Sequence, residues 1–113
     1  MGNIENIKLE LRKYADPEKA DFLLKFFKSA PGGYGEGDQF IGVKVPLQRK
    51  IAKKHYKSIS LKELKPLIKD PVHEHRLTTL IILVNKFEKA TTDLERKSIV
   101  DFYINNISFV QNP

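Results

Sequence analysis

A chain of 113 residues, 41% of them hydrophobic, holds one small domain with a modest core. It has no cysteine, so neither a disulfide framework nor a thiolate metal site is possible, and its longest apolar run, Leu80 to Val84, is far too short to cross a membrane. The net charge of +6 is concentrated: residues 44–69 carry nine Lys/Arg against one Asp/Glu and each flanking segment is net −1, the electrostatic footprint of a polyanion-binding surface.

The amino-terminal stretch MGNIENIKLELRK lacks the basic-then-apolar order of a signal peptide and the Ser or Thr that favours myristoylation, so a cytoplasmic protein is expected. Ile4, Ile7 and Leu11 recur at helical spacing, predicting a first helix from Asn3, as N-cap, to Tyr14 on the same face. Asp16-Pro17 is a stop and restart, with Asp16 capping and Pro17 in the first turn of a second helix that runs to about Lys28. Its Phe22, Leu23, Phe26 and Phe27 form a wide apolar face, expected in the core rather than serving as a base-stacking platform.

Five of the six glycines follow between Gly32 and Gly42, in a loop of unusual length. Tyr34, Phe40, Ile41 and Val43 are suited to pin it to the core. Its acids, Glu36 and Asp38, are better suited to backbone hydrogen bonds than to catalysis. No Gly-Lys-Ser/Thr follows, so the loop is not a P-loop.

Val45-Pro46 opens a third helix that ends near Lys57. On a helical wheel with Leu47 at zero, Ile51 and Ala52 lie at about 40° and 140°, and Arg49, Lys50, Lys53, Lys54 and Lys57 occupy about 200° to 340°. A solvated face usually mixes signs, because like charges at helical spacing repel. This stripe, with Lys44 preceding it, contains no carboxylate of its own helix and points to an external anion.

Ser60-Leu61-Lys62-Glu63 is a capping box for a fourth helix, apolar at Leu61, Leu64 and Ile68 and bent or shortened by Pro66. Asp70-Pro71 repeats the earlier start signal before a fifth helix, His73 to about Lys89. Leu77, Leu80, Ile81, Val84 and Phe87 give that helix a broad face packed on two sides. The charged start, His73-Glu74-His75-Arg76, reads as a surface turn or a Glu74 bond to the helix N-terminus. His73 and His75, two apart, cannot face one metal from a helix. Thr92-Asp93-Leu94-Glu95 is a second capping box, and Leu94, Ile99, Phe102, Tyr103 and Ile107 of the sixth helix are expected to face inward. The fold class is therefore all-α: about six helices in antiparallel pairs, with residues 1–113 forming a single domain.

Pro31-Gly32-Gly33-Tyr34-Gly35-Glu36-Gly37-Asp38, then Phe40-Ile41-Gly42-Val43-Lys44-Val45-Pro46 and Arg49-Lys50, resembles the N-terminal part of the AlkD-like DNA alkylation repair family. Asp70-Pro71-Val72-His73-Glu74-His75-Arg76 is similar to a further block of that family. The resemblance implies a HEAT-like α-solenoid fragment with a basic face on duplex DNA, in a family that excises N-alkylated purines without metal or organic cofactor. A carboxylate and aromatic rings would then stabilise positive charge on the sugar. The family's Asn-Trp-Asp motif supplies that carboxylate; here Phe109-Val110-Gln111-Asn112 matches the approach, but Pro113 stands where the Trp would be. No catalytic residue is carried over, and base excision by this chain alone is not expected.

The expected function is binding of the duplex DNA backbone, with Lys44, Arg49, Lys50, Lys53, Lys54 and Lys57 on phosphates. The alternative is a non-catalytic helical-repeat module that meets an acidic protein. An apolar end at the sixth helix, including Ile104, Ile107, Phe109 and Val110, would be covered by a second copy or a partner chain.

Overall fold

The computed structural model describes residues 2–29 and 39–106. These residues form six helices and no strand: α1 (Asn3–Lys13), α2 (Pro17–Ser29), α3 (Val45–His55), α4 (Leu61–Ile68), α5 (His73–Lys89) and α6 (Asp93–Asn105). Tyr34, Glu36, Asp38, the side chain of Phe27 and residues 107–113 lie outside the described part.

Local rules set the helix boundaries. The Asp16 carboxylate accepts the backbone N–H groups of Glu18 and Lys19, and Pro17 is the first residue of α2. Ser60 and Glu63 form the complete reciprocal box at the start of α4. Pro66 sits inside α4, which is only eight residues long. Thr92 caps α6 through the Glu95 N–H, but the Glu95 side chain turns to the Thr91 hydroxyl, so this is half a capping box. Two start signals resolve differently from expectation. Gly2, not Asn3, is the N-cap of α1, because the Asn3 amide reaches across to the Ser58 carbonyl at 2.8 Å and to Glu63 at 3.2 Å. Asp70 does not cap α5; it accepts the Val72 N–H at 2.9 Å, and Val72 is the N-cap.

The odd-numbered helices stack as a layer, α1 on α3 and α3 on α5, while α4 packs on both α1 and α5 and α6 packs on α5. This is the arrangement of a helical-repeat array. Ile7 and Leu11 of α1, Ile51 and Ala52 of α3, Leu64, Leu67 and Ile68 of α4, and Ile82 and Leu83 of α5 form the core with Ile59. Burying each large aliphatic side chain contributes roughly 1.5–3 kcal/mol.

The first half of α5 contradicts its surface-turn reading. Glu74, His75, Arg76, Thr78 and Thr79 are all buried, and Glu74 is only 1% exposed. The Glu74 carboxylate accepts three successive backbone N–H groups, from Ile41 at 3.1 Å, Gly42 at 2.8 Å and Val43 at 3.3 Å. It therefore serves the segment leading into α3, not the start of its own helix. From the other side, the Asp16 N–H donates to the Ile41 carbonyl at 2.8 Å. Gly42 has φ +81, and a Cβ there would lie 2.2 Å from the Asp16 carbonyl oxygen, so only glycine fits. Gln48 of α3 completes the clamp: its amide donates to the Val43 carbonyl at 2.9 Å and accepts from the Thr78 hydroxyl at 3.1 Å. Before this segment, Gln39 bridges to both sides of Val72.

Several apolar faces also turn out differently. Phe22 and Phe26 stack on each other at 6.4 Å but are 66% and 58% exposed, because α2 makes only sparse contacts with the other described helices. Val84 and Phe87 of α5 and Leu94 and Tyr103 of α6 are exposed as well; the inward residues of α6 are Ile99 and, in part, Phe102. Tyr14 is exposed at the C-cap of α1.

Two polar latches tie α1 down. Glu10 meets His55 Nε2 at 2.6 Å and Lys54 at 3.1 Å, and Lys8 meets Asp70 at 3.0 Å. Asp70 also lies 3.0 Å from the buried His75 ring, a close contact poorly aligned for a hydrogen bond. Burial pushes both carboxylates up, but the His55 and Lys54 contacts outweigh it for Glu10, as do the Val72 N–H, Lys8 and His75 for Asp70, so both end below the ordinary range. Burial pushes His75 below its ordinary value despite Asp70.

Three outcomes are expected. All three shifts mean that the unfolded chain binds more protons, so stability falls on acidification, first as pH drops below the ordinary histidine value and further through the carboxylate range. Urea unfolding between neutral pH and about pH 4 measures this, and a flat profile would contradict the latches. Glu74→Gln is expected to lose roughly 2–3 kcal/mol, because a charged acceptor of buried N–H groups is removed. Gly42→Ala acts on the same segment, so the double variant should lose less than the sum of the two singles. Thermal unfolding by circular dichroism reads both, and an unchanged midpoint in Glu74→Gln would rule out the clamp.

Candidate nucleic-acid interface

The orientation of α3 is set by what it buries. Gln48, Ile51, Ala52 and His55 face the interior and Leu47 is partly buried. On the wheel these four occupy about 40° to 140°, so the opposite arc faces water. Two members of the buried arc are polar. Gln48 is held by Val43 and Thr78, and His55 by Glu10; hydropathy alone does not mark either as an interior residue.

All six expected contact residues, Lys44, Arg49, Lys50, Lys53, Lys54 and Lys57, are exposed. Lys44 is the extended N-cap of α3. Arg49 and Lys53 stand one above the other, a rise of about 6 Å apart, with Lys50 and Lys54 on the adjacent row. Lys57 follows the helix, its ammonium 5.9 Å from the centre of the Tyr56 ring. The other cations of the basic segment, Lys62, Lys65 and Lys69, are exposed too, and its single acid, Glu63, is engaged by Ser60 and Asn3.

One expectation is corrected. The stripe is not free of carboxylates in three dimensions, because Glu10 of α1 reaches Lys54 at 3.1 Å. Lys54 remains 67% exposed, and a pair this open contributes about 0–1 kcal/mol. Among the described residues, no carboxylate forms an ion pair with Lys44, Arg49, Lys50, Lys53 or Lys57.

Beside the N-terminus of α3 lies a cavity of about 470 Å³ lined by Lys19, Phe40, Lys44, Pro46, His73 and Leu77, among others. Phe40 packs on the His73 ring at 4.9 Å. The Glu74 clamp forms part of its wall, so the same bonds that fix α3 also shape this cavity. Among the described residues, no group of three His, Cys, Asp or Glu side chains converges as a metal site, and no helix is long and apolar enough to cross a membrane. Glu74 is engaged by three N–H groups and Glu10 by His55 and Lys54, so neither is an uncommitted carboxylate for catalysis. The arrangement can hold a polyanion against an ordered row of cations.

Comparison with known proteins gives one match. The sequence model of a family described as DNA alkylation repair enzyme matches residues 7–113. No curated protein and no solved structure matches the chain. The Gly42 turn, its Glu74 clamp and the basic helix that follows all lie within the matched span; the chain belongs to the DNA alkylation repair enzyme family.

Proposed function

We propose that this chain binds the backbone of duplex DNA through α3, with Lys44, Arg49, Lys50, Lys53, Lys54 and Lys57 contacting phosphates. The observation that carries this reading is the exposed row of cations along α3 and its flanks, of which, among the described residues, only Lys54 has a counter-ion. The family membership supports DNA as the polyanion. Phosphate contacts of this kind position a duplex without reading its sequence, so the reading is one of backbone binding. It assigns no base excision to these residues. We take residues 1–113 as one HEAT-like unit, a reading supported by the stacking of α1, α3 and α5.

Fluorescence anisotropy with a labelled duplex across a salt series tests the proposal. With four or five phosphates neutralised, log K should fall against log salt with a slope of roughly −4. Lys50→Glu/Lys53→Glu/Lys54→Glu should weaken binding and flatten the slope by about three units while the helical circular-dichroism spectrum is retained. No binding by the parent chain at low salt would overturn the proposal, and so would an unchanged slope in the folded triple variant.

A further inference from the structure

A second surface has different chemistry. The turns between α3 and α4 and between α5 and α6 enclose a groove of about 520 Å³. Its floor is apolar: Tyr56, Leu61, Ala90, Leu94 and Ile99. Three lysines, Lys57, Lys86 and Lys89, line it against a single acid, Glu95. We infer that this groove docks an acidic amphipathic segment of a partner protein, whose apolar side chains seat on Leu61, Leu94 and Ile99 while its carboxylates meet Lys57, Lys86 and Lys89.

Charge complementarity selects this occupant. Among the described residues, none of the three lysines forms an ion pair. Lys86 is the most telling, because it is partly buried on α5 and burial pushes its pKa down. The negative charge acting on it is Glu63, whose oxygens already serve the Ser60 N–H and the Asn3 amide. A carboxylate supplied from outside would restore what burial takes from this ammonium. The aliphatic part of the floor distinguishes the groove from the exposed row on α3. Phosphate-only contact leaves Leu94 and the open part of Leu61 in water, and the floor offers no second ring beside Tyr56 for bases to stack on. Leu94 is 75% exposed, so the groove is open to the surface. Open troughs of this kind accept a helix presenting anchors at i, i+3, i+4 and i+7, whereas small ligands favour enclosed pockets.

The probe is a fluorescein-labelled helical peptide of about four turns, with Leu at the anchor positions and Glu between them. Two further peptides replace every Leu by Ala or every Glu by Lys. Anisotropy titration gives affinity, and amide chemical shifts in ¹⁵N-labelled protein locate the site. The parent peptide should bind and move the amides of Lys57, Leu61, Ala90 and Ser98. The Ala and Lys peptides should each bind at least roughly tenfold more weakly, the effect of losing about 1.4 kcal/mol. Lys86→Glu and Leu94→Glu should each weaken the parent peptide to a similar degree. Because Leu94 and Lys89 are exposed, Leu94→Glu and Lys89→Glu also test the groove if Lys86→Glu fails to fold. All three variants leave Arg49, Lys50 and Lys53 intact, so duplex affinity should stay within about twofold. Three results would overturn the inference: no peptide binding, equal binding of the Ala peptide, or shifts confined to Lys50 and Lys53. The last would mean that the acidic peptide merely substitutes for DNA on α3. The duplex titration is independent, so failure of the groove and failure of the DNA reading are told apart.

Discussion

One buried carboxylate organises this molecule. Glu74 points into the place where the segment 41–43 arrives with three N–H groups that have no helix or strand to satisfy them. Unpaired buried amides are costly, and a carboxylate answers several of them with two oxygens. Around that contact everything else is arranged. Gly42 gives the backbone its left-handed turn against Asp16, Gln48 takes the next carbonyl, and α3 then leaves at a fixed angle over α5. The clamp explains why the first half of α5 is polar although it lies at the centre of the fold.

The consequence is electrostatic. A helix with four cations on one arc, and a fifth just past its end, repels itself and gains little from its own sequence. It persists because its opposite arc is held by Ile51, Ala52, Gln48 and His55, and because α1 brings Glu10 to the Lys54–His55 corner. Packing thus presents the cations in a fixed row at the surface. A preformed row loses less conformational entropy when it meets a polyanion than lysines on a flexible tail would. The α5–α6 side differs in kind, since there cations surround an apolar floor rather than stand alone.

Much of this was legible in the residues. Asp16-Pro17, Ser60 through Glu63, and Pro66 announced their helix boundaries, since each acts on backbone groups only a few positions away. The basic arc of α3 was also legible, because lysines and arginines at helical spacing stay in water under almost any packing. Burial was harder to read. The Phe22–Phe26 face has the spacing of a core face but stands largely in solvent, and Glu74, His75 and Arg76 have the composition of a surface but are interior. Neither Gln48 nor Asn3 carries a signal that it would bond to a chain segment far away; for Asn3, a free-standing capping preference pointed elsewhere.

By itself, then, the sequence determined the six helices, the caps at Asp16 and Ser60, the break at Pro66, and the sign and position of the charge excess, because those follow from interactions within a turn or two of helix. Only the tertiary structure decided which apolar faces are covered, that Gly42 is irreplaceable, that Lys54 has a counter-ion, and that a glutamate in a charged cluster is the central acceptor. Each of these depends on which distant backbone or side chain arrives at the site, and local periodicity carries no information about that.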